Sequence, residues 1–318
     1  PKKVNTCEAL SVTPAPKRPT YTQVFGDKVV KLGTLHKDLV VITPAMQGGS
    51  GLNGFADAFP ERFIDVGIAE EHAVTFSAGL ARAGVRPLLA IYSTFLQRGY
   101  DQLVHDVCLQ NLPVVFALDR AGLAAQDGPT HHGVFDYCYE LPIPNLQILA
   151  PKDGDELERM LSWSLTQAGP VSIRYSKFSI PEENGQIADP LVLGQAEVLL
   201  PSPKNRSDIL FIAVGSMAWP CANAAKALQQ EGIAAEVINL RFVKPIDDAF
   251  LQPFIDRADA IIVAEEGQAI GGVMAYILQQ VQSPLPLSSW KSVALPDEFA
   301  DHGTPERLNQ TYGFTEAQ

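Results

Sequence analysis

The stretch RFIDVGIAEEHAVTFSAGLA, residues 62–81, places a strand-like run directly before a helical one. Its apolar residues from 62 to 68 predict a strand, and the spacing of those that follow predicts an amphipathic helix. The apolar face of that helix is predicted to consist of Ala69, Ala73, Phe76 and Leu80. Two adjacent acids, Glu70 and Glu71, stand where the strand gives way to the helix.

The same alternation of strand and helix extends on both sides of this stretch. We predict further strands at DLVVIT (38–43), RPLLAIY (86–92), LPVVFALD (112–119), LQILAP (146–151) and PVSIRY (170–175). Helices are predicted from Thr20 or Thr22 with Phe25, Val29 and Leu32 inward, after residue 92 with Leu96, Tyr100, Leu103 and Val107 inward, and near 153–167. Strands that are apolar on both faces and alternate with helices predict a parallel sheet covered by helices on both sides.

A second unit follows residues 178–190, which are rich in Pro, Gly and charge and predict a domain boundary. Its predicted strands are DILFIAVGS (208–216), AAEVINL (234–240) and DAIIVAEE (259–266), with helices near 219–231, 247–257 and 267–281. The sequence therefore predicts an α/β protein with two open, mainly parallel sheet domains that carry helices on both faces. We predict a linker at 1–20 and domains at 21–180 and 191–318.

Composition narrows the class of protein. The chain of 318 residues has a net charge of −12, which argues against nucleic acid or an anionic membrane as partner. No apolar run reaches the roughly 18 residues of a membrane span, and the first 20 residues lack the apolar core of a signal peptide. The 4 cysteines are scattered without metal or redox spacing, so we expect reduced thiols in a cytosol-like compartment.

Polar residues gather at the predicted ends of three strands, in the segments GIAEEH, AIYSTFLQRGYDQ and ALDRAGLAAQDGPTHHG. Ligands of open parallel sheets bind beyond the carboxyl ends of the strands, so these segments predict a binding site. The side chains that they offer are Glu70, His72, Tyr92, Phe95, Arg98, Arg120, Asp127, His131 and His132.

Each of these groups also has a simpler interpretation. Glu70 and Glu71 are acids in the first turn of a helix, where the helix dipole favours negative charge by about 0.3–1 kcal/mol. The alternative is a buried glutamate that hydrogen-bonds a basic ring nitrogen and moves its proton, and spacing alone does not choose between the two acids. Phe95 is either a core residue with Arg98 on the surface, or an aromatic face for a flat ring with Arg98 as a hydrogen-bond donor beside it.

Two loop-like segments have alternatives of their own. The segment at 119–133 is either a solvated loop or, because it combines Gly and Ala with several ionisable groups, a binding loop. Adjacent histidines without a third ligand at a recognised spacing argue against zinc there. The glycines of EEGQAIGG (265–272) lack a complete dinucleotide or phosphate-loop motif and predict close packing of a helix on a strand.

Five stretches occur in the order found in one enzyme family. They are TPAMQGGSGL (43–52), the stretch at 62–81, AIYSTFLQRGYDQLVHDVCLQNLPV (90–114), DRAGLAAQDGPTHHGVFD (119–136) and LPDEFADHGTPERL (295–308). Together they resemble the 1-deoxy-D-xylulose 5-phosphate synthases, which are thiamine diphosphate enzymes similar to transketolase.

The resemblance implies three domains in a complete subunit, and this chain looks like the second, which binds the aminopyrimidine, and the third. The family's Gly-Asp-Gly motif for Mg²⁺ and the diphosphate is not found in these residues. We therefore expect a fragment or one product of a split gene that is inactive alone, with the Mg²⁺ ligands in the absent N-terminal domain and none in this chain.

On the cofactor side, the resemblance implies a role for each matching residue. Glu70 resembles the glutamate that hydrogen-bonds the pyrimidine nitrogen of thiamine diphosphate and activates the cofactor. Ile68 resembles the apolar wedge that holds the cofactor bent. Phe95 resembles the ring stacked on the pyrimidine, with Arg98 close to it.

On the substrate side, Tyr92, Arg120, Asp127 and His131 resemble the part of the pocket that takes the acceptor sugar. An arginine there suits a phosphate dianion, and a histidine can exchange protons near neutral pH, which makes His131 a catalytic candidate. Lys177 stands where the family usually has Arg. A lysine attracts phosphate but cannot form a bidentate contact with it.

The implied reaction decarboxylates pyruvate and transfers the two-carbon unit to D-glyceraldehyde 3-phosphate. Its product, 1-deoxy-D-xylulose 5-phosphate, feeds the synthesis of isoprenoids, thiamine and pyridoxal cofactors. The resemblance also implies a homodimer packed through the helix at 69–82, located in the bacterial cytosol or the plastid stroma.

Two other functions remain open from the residues. The beta subunit of a 2-oxoacid dehydrogenase has the same two domains at a similar length, but the motifs YSTFLQRGYDQ and DRAGLAAQDGPTHHG are of the synthase kind. A non-catalytic paralogue is the second alternative, and the intact set of Glu70, Phe95, Arg98 and His131 argues against it.

Overall fold

The computed structural model describes residues 18–182, 190–315 and 317 of the chain. The predicted linker at 1–20 lies outside the described residues except for its last three, and so do residues 183–189 of the predicted domain boundary. No helix in the described ranges combines the length and apolarity that a membrane-spanning helix requires.

The described strands form two sheets, as predicted. In chain order the strands are β1 (Leu39–Thr43), β2 (Phe63–Asp65), β3 (Arg86–Tyr92), β4 (Val115–Asp119), β5 (Gln147–Leu149), β6 (Val171–Arg174), β7 (Glu197–Leu200), β8 (Ser207–Ala213), β9 (Ala235–Asn239), β10 (Phe242–Lys244), β11 (Ala258–Gln268) and β12 (Trp290–Leu295). The helices are α1 (Tyr21–Leu35), α2 (Asn53–Ala58), α3 (Glu70–Arg82), α4 (Ser93–Leu96), α5 (Tyr100–Gln102), α6 (Asp136–Glu140), α7 (Gly154–Ser164), α8 (Ala218–Gln230), α9 (Asp248–Asp256), α10 (Val273–Gln280) and α11 (Pro305–Tyr312).

The first sheet has the strand order β10-β5-β6-β4-β3-β1-β2, and the second has the order β12-β11-β8-β9-β7. Pairing is parallel throughout except at two edges, where β10 runs antiparallel to β5 and β7 runs antiparallel to β9. The prediction of two mainly parallel sheets is therefore confirmed. The antiparallel strand β10 was not predicted, and it brings a segment from the second half of the chain into the first sheet.

Alternate residues of the central strands face opposite apolar layers. In β3, Leu88 and Ala90 pack with α1 residues such as Phe25, whereas Leu89 and Ile91 pack on the other face of the sheet with residues of α3. Both faces of the strand are buried because helices cover them, which explains its continuous apolar sequence.

Several predicted helical faces differ in detail from the structure. In α3 the buried residues include Val74, Ser77 and Ala78, while Phe76 and Leu80 are only partly buried. After β3 the predicted single helix is broken by a 3₁₀ turn at Gln97–Gly99 and a π-helical turn at Leu103–Cys108. The broken helix rotates Tyr100 out of the buried stripe, so the prediction that it lies inward is wrong.

Two predicted element boundaries also need correction. The strand predicted at 62–68 is only Phe63–Asp65, since Gly67 has a positive φ of 72° and the chain turns there toward α3. The helix predicted at 267–281 begins at Val273, because β11 continues to Gln268 and Gly271 has a φ of 73°. A β-carbon on Gly272 would lie 2.3 Å from the carbonyl oxygen of Gln268, so this glycine allows the close approach of helix and strand.

Candidate active site

Glu70 is a buried acid at the first position of α3. Its side chain is only 4% exposed, and its Oε1 accepts a hydrogen bond of 2.5 Å from Nη1 of Arg98. The second oxygen, Oε2, has no hydrogen-bond partner among the described residues. Glu71, one position later, is exposed. The two neighbouring acids therefore occupy different environments although both lie in the first helical turn.

Aromatic and guanidinium groups stack beside this ion pair. The Arg98 guanidinium carbon lies 5.0 Å from the centre of the Phe95 ring, and the rings of Phe95 and Tyr92 stack with centres 5.8 Å apart. On the far side, the Arg120 guanidinium carbon lies 3.7 Å from the Tyr92 ring centre. Gly49 packs so closely that a β-carbon there would lie 1.7 Å from the Tyr92 hydroxyl.

Arg120 keeps part of its guanidinium available. Its Nη1 donates to the carbonyl oxygen of Gly49 at 3.0 Å and lies 3.2 Å from Oδ2 of Asp119. Its Nη2 and Nε have no hydrogen-bond acceptor within the described part of the chain. Arg120 has a positive φ of 60°, a conformation that costs energy in a residue other than glycine, and its side chain lies over the Tyr92 ring.

The loop at 120–133 brings His131 to the same group. The His131 ring lies edge-on to Phe95, with ring centres 5.3 Å apart, and its Nδ1 is 3.0 Å from Oγ1 of Thr130. Nζ of Lys177 donates to Oδ2 of Asp127 at 2.6 Å. Partial burial acts to raise the pKa of Asp127, but the hydrogen bond and charge of Lys177 outweigh it and lower that pKa.

The structure thus brings together most of the residues predicted for the site. Glu70, Arg98, Phe95, Tyr92, Arg120 and His131 form one continuous series of contacts. Asp127, on the same loop as His131, pairs with Lys177, which follows β6. Ile68 lies two residues before Glu70 and is 83% exposed. His72 does not join the group, because it stacks on Phe76 along α3 with ring centres 5.7 Å apart.

Comparison with known proteins identifies the fold and its family. The domain family described as "Transketolase, pyrimidine binding domain" matches residues 17–182. The family described as "Transketolase, C-terminal domain" matches residues 196–318. The chain belongs to the transketolase pyrimidine-binding domain family.

Curated relatives of this pyrimidine-binding domain protein are named 1-deoxy-D-xylulose-5-phosphate synthase. The protein of Dictyoglomus thermophilum is 45% identical over 304 residues, which cover 94% of this chain and 48% of the relative. The protein of Syntrophus aciditrophicus is 46% identical over 312 residues, which cover 97% of this chain and 47% of the relative. The chain therefore spans about half the length of the curated relatives it matches.

Solved structures show the same architecture. A chain described as "Split gene transketolase, inactive beta4 tetramer" has a TM-score of 0.82 at 28% identity, over 94% of this chain and 95% of that chain. The transketolase of Campylobacter jejuni has a TM-score of 0.79 at 18% identity, over 95% of this chain and 46% of that one, and shows the fold alone.

Behind the pyrimidine-binding domain's aromatic group lies a residue that the sequence analysis did not single out. Asp119, the last residue of β4, is fully buried and accepts hydrogen bonds from Oγ1 of Thr22 at 2.9 Å and from the backbone N–H of Arg120 at 2.6 Å. Burial raises the pKa of Asp119 to about 6 against the opposing effect of Arg120. The signal that could have revealed Asp119 is an acid at the end of an otherwise apolar strand. The sequence analysis treated it only as the last residue of that strand.

A second unpredicted pair supports the start of α4. Oδ2 of Asp136 accepts hydrogen bonds from Oγ of Ser93 at 2.9 Å and from Nε of Arg174 at 2.8 Å. Arg174 is buried and also donates to the carbonyl oxygens of Gly133 at 3.2 Å and Glu266 at 3.1 Å. These contacts tie the helix that carries Phe95 to the second half of the chain.

The two adjacent histidines do not converge on one point. His131 faces Phe95, whereas both ring nitrogens of His132 are engaged elsewhere, with the backbone N–H of Ala124 and the carbonyl oxygen of Asp301. No group of three or more metal-ligating side chains occurs within the ranges that the structure describes.

Proposed function

We propose that this chain is the pyrimidine-binding and C-terminal part of a 1-deoxy-D-xylulose 5-phosphate synthase, divided into domains at 21–180 and 191–318. The observation that carries the proposal is the buried carboxylate of Glu70, paired with Arg98 beside the ring of Phe95. Relatives that are 43–46% identical over most of this chain carry the synthase name, which supports it over a dehydrogenase beta subunit.

The residues present fit the aminopyrimidine of thiamine diphosphate. Oε2 of Glu70 lies in a largely buried side chain without a partner among the described residues, so it can take a hydrogen bond from a ligand. Phe95 supplies an aromatic face for a flat ring, and the exposed Ile68 supplies apolar surface next to Glu70.

The chain's own residues then have separate tasks on the cofactor side. Glu70 shares a proton with a ring nitrogen through Oε2, while Arg98 keeps the carboxylate in position through Oε1. When bound, thiamine diphosphate supplies the nucleophilic carbon that attacks pyruvate and the electron sink for its decarboxylation. We assign Mg²⁺ and its ligands to a diphosphate-binding domain, and the greater length of the relatives leaves room for one.

On the acceptor side we propose D-glyceraldehyde 3-phosphate as the substrate. Arg120 and Lys177 supply positive charge for its phosphate, although Lys177 must exchange its contact with Asp127 to do so. His131, held edge-on to Phe95, is the group that exchanges a proton with the substrate oxygen, and Tyr92 and Asp127 bound the same space.

Assembly and location belong to the same proposal. We infer a homodimer that packs through α3, in the cytoplasm, where free thiols such as Cys108 and Cys221 stay reduced. The similar split-gene transketolase chain is described as an inactive tetramer, which supports self-association of this chain without activity.

Reconstitution tests the proposed function. We expect this chain alone to release no carbon dioxide from pyruvate. Once the separately produced N-terminal half of the Syntrophus aciditrophicus synthase is added, we expect release in the presence of glyceraldehyde 3-phosphate as acceptor. The readout is carbon dioxide from carboxyl-labelled pyruvate together with the 1-deoxy-D-xylulose 5-phosphate formed.

A pair of neighbouring variants provides the matched control. Glu70→Gln is expected to lower the reconstituted rate about 100-fold or more, since it removes a proton-transferring carboxyl. Glu71→Gln changes an exposed acid on the same helical turn and is expected to stay within about twofold of the wild type. Activity of the isolated chain, or activity restored only by a lipoyl acceptor, would contradict the proposal.

A further inference from the structure

The loop at 120–133 carries three of the proposed acceptor-binding residues and has little regular structure of its own. Its base is closed by a reciprocal pair of backbone hydrogen bonds between Gly122 and Gly133, at 2.8 and 2.9 Å. Ala125 and Gly128 within it have positive φ angles of 55° and 79°. A segment of this kind needs contacts from outside to hold one conformation.

His132 is buried and holds the loop together from within. Its side chain is buried, with the residue only 2% exposed, and its Nδ1 accepts a hydrogen bond of 2.8 Å from the backbone N–H of Ala124. Because Nδ1 is the acceptor, the proton of the neutral ring lies on Nε2. Burial lowers the pKa of His132, which keeps the ring neutral and this arrangement of donor and acceptor intact near neutral pH.

The other ring nitrogen reaches the second half of the chain. Nε2 of His132 donates to the carbonyl oxygen of Asp301 at 3.1 Å, in the segment at 296–304 between β12 and α11. The backbone N–H of Gly303 donates to the carbonyl oxygen of Ala125 at 3.4 Å, and a β-carbon on Gly128 would lie 3.5 Å from Cβ of His302. Leu123 and Ala125 of the loop also pack in one apolar cluster with Ala300 of the 296–304 segment and with Leu308 of α11.

We propose that the segment at 296–304 positions the acceptor-binding loop through His132, so that the second domain takes part in recognising the phosphorylated aldehyde. His132 is a positioning residue, since it touches no reacting group and acts through its neighbours His131 and Asp127. The inference rests on the proposed synthase function for the identity of the acceptor, but the positioning contact itself is testable on this chain alone.

Two amide variants divide the two hydrogen bonds of His132. In His132→Gln the amide group reaches the position of Nε2, so its nitrogen can still donate to the carbonyl oxygen of Asp301. In His132→Asn the amide group reaches only the position of Nδ1, so its oxygen can still accept from the backbone N–H of Ala124 but the bond to Asp301 is lost. Asp301→Asn is the matched control, because His132 bonds the backbone carbonyl of that residue and its side chain is exposed. We expect Asp301→Asn to behave as the wild type in every readout.

The first measurement is amide hydrogen exchange on this chain without cofactor. In His132→Asn we expect exchange in both the 120–133 and 296–304 segments to rise about tenfold, and in His132→Gln to stay within about threefold of the wild type. Equal exchange in the wild type and His132→Asn would overturn the positioning role, whatever the enzyme's activity.

The second measurement is steady-state kinetics of the reconstituted enzyme. We expect His132→Asn to raise KM for glyceraldehyde 3-phosphate about tenfold while KM for pyruvate stays within about twofold, with recovery in His132→Gln. Equal losses for both substrates would show a general structural defect and overturn the inference. A third outcome is raised amide exchange in His132→Asn but no synthase activity of the reconstituted wild type. It would keep the positioning contact and reject the proposed function, and with it the aldehyde as the ligand.

Discussion

At the scale of single residues, Glu70 and Glu71 show how neighbours of the same type diverge. Both lie in the first turn of α3, where the helix dipole favours acids, and their spacing in the sequence does not distinguish them. In the structure Glu70 is buried against Arg98 and Glu71 faces outward. Arg98, in the turn at Gln97–Gly99, pairs with Glu70, so only the folded chain separates the exposed acid from the candidate catalyst.

Glu140 is a buried acid whose charge state makes stability depend on pH. It ends α6, and its Oε1 accepts a hydrogen bond of 2.8 Å from Oγ of Ser172. Burial, with a contribution from the charge of Asp136, raises its pKa to about 8 from the ordinary 4.5. The folded state therefore binds the extra proton between these values, so the contribution of Glu140 to stability is complete below about pH 4.5 and is lost as the pH rises through about 8.

We predict that Glu140→Gln removes this dependence. The glutamine is neutral at every pH, so the free energy of unfolding of the variant should rise relative to the wild type by about 2–4 kcal/mol between pH 5 and pH 8.5. Urea unfolding at a series of pH values measures the difference. At pH 5 the wild-type side chain is neutral as well and the two proteins should agree within about 1 kcal/mol; an offset that is the same at both pH values would contradict the prediction.

At the scale of elements, strands buried on both faces were predicted well, whereas three of the four edge strands of the described sheets were not predicted. The apolar run at 86–92 matches β3 residue for residue, because helices cover both of its faces. The edge strands β7, β10 and β12 were missed, since β10 has only three residues and β7 and β12 are exposed along part of their length. A short or half-exposed strand leaves too little periodicity in the sequence to be recognised.

The segment that carries Phe95 and Arg98 was predicted as one regular helix and is not. Gly99 packs against α3 so closely that a β-carbon there would lie 2.8 Å from Cγ2 of Val74. This close approach coincides with the 3₁₀ turn at Gln97–Gly99 that separates α4 from α5. The irregular backbone at the site therefore occurs where Gly99 contacts α3, and the local sequence does not encode that contact.

The turn between β11 and α10 provides a test at this scale. We predict that Gly272→Ala lowers the free energy of unfolding by about 1–3 kcal/mol, because the added methyl group would meet the backbone oxygen of Gln268 and neither chain segment can move freely. Chemical denaturation measures the change.

Gly54→Ala is the control for that substitution. Gly54 lies in α2, where a β-carbon would meet only Cγ2 of Val30 at an ordinary 3.4 Å. We expect this variant to be as stable as the wild type or more stable by up to about 1 kcal/mol, because alanine favours the helix. A Gly272→Ala variant with the stability of the control would show that the turn relaxes without cost.

At the scale of the whole molecule, a buried ion cluster joins the two halves of the chain. Lys152 and Glu156 come from the first half, and Glu197 and Arg241 come from the second. Nζ of Lys152 lies 3.0 Å from Glu197, and Arg241 lies 3.0 Å from both Glu156 and Glu197. Lys152 with Glu197 and Arg241 with Glu156 are the contacts that cross between the halves, so these buried charges are fully compensated only when the halves are docked.

We predict that Arg241→Met lowers the free energy of unfolding by about 3–5 kcal/mol, because it leaves two buried carboxylates with only Lys152 to balance them. Arg206→Met is the control: Arg206 pairs with Asp259 on the surface, and its loss should cost less than about 1 kcal/mol. Calorimetric unfolding of both variants measures the difference. If Arg241→Met proved as mild as the control, the cluster would not stabilise the docked halves.

The strand β10 extends the same connection between the halves. It follows β9 in the chain but pairs antiparallel with β5, so the first sheet is completed by residues from beyond the predicted boundary at 178–190. The division into domains at 21–180 and 191–318 stays a prediction about the chain, whereas the first sheet includes a strand from beyond that division. The proposed positioning of the 120–133 loop by the 296–304 segment follows the same pattern.

The sequence by itself determined the α/β class, the mainly parallel sheets and the polar strand ends, because buried strands need continuous apolar runs and sites in such sheets lie beyond their carboxyl ends. The tertiary structure alone decided which of two adjacent acids is buried, that Asp119 and Arg174 support the site, and that His132 faces Asp301 rather than Phe95. These outcomes depend on contacts between residues far apart in the chain. Local periodicity, which reports only whether a face is buried, carries no information about the partner that buries it.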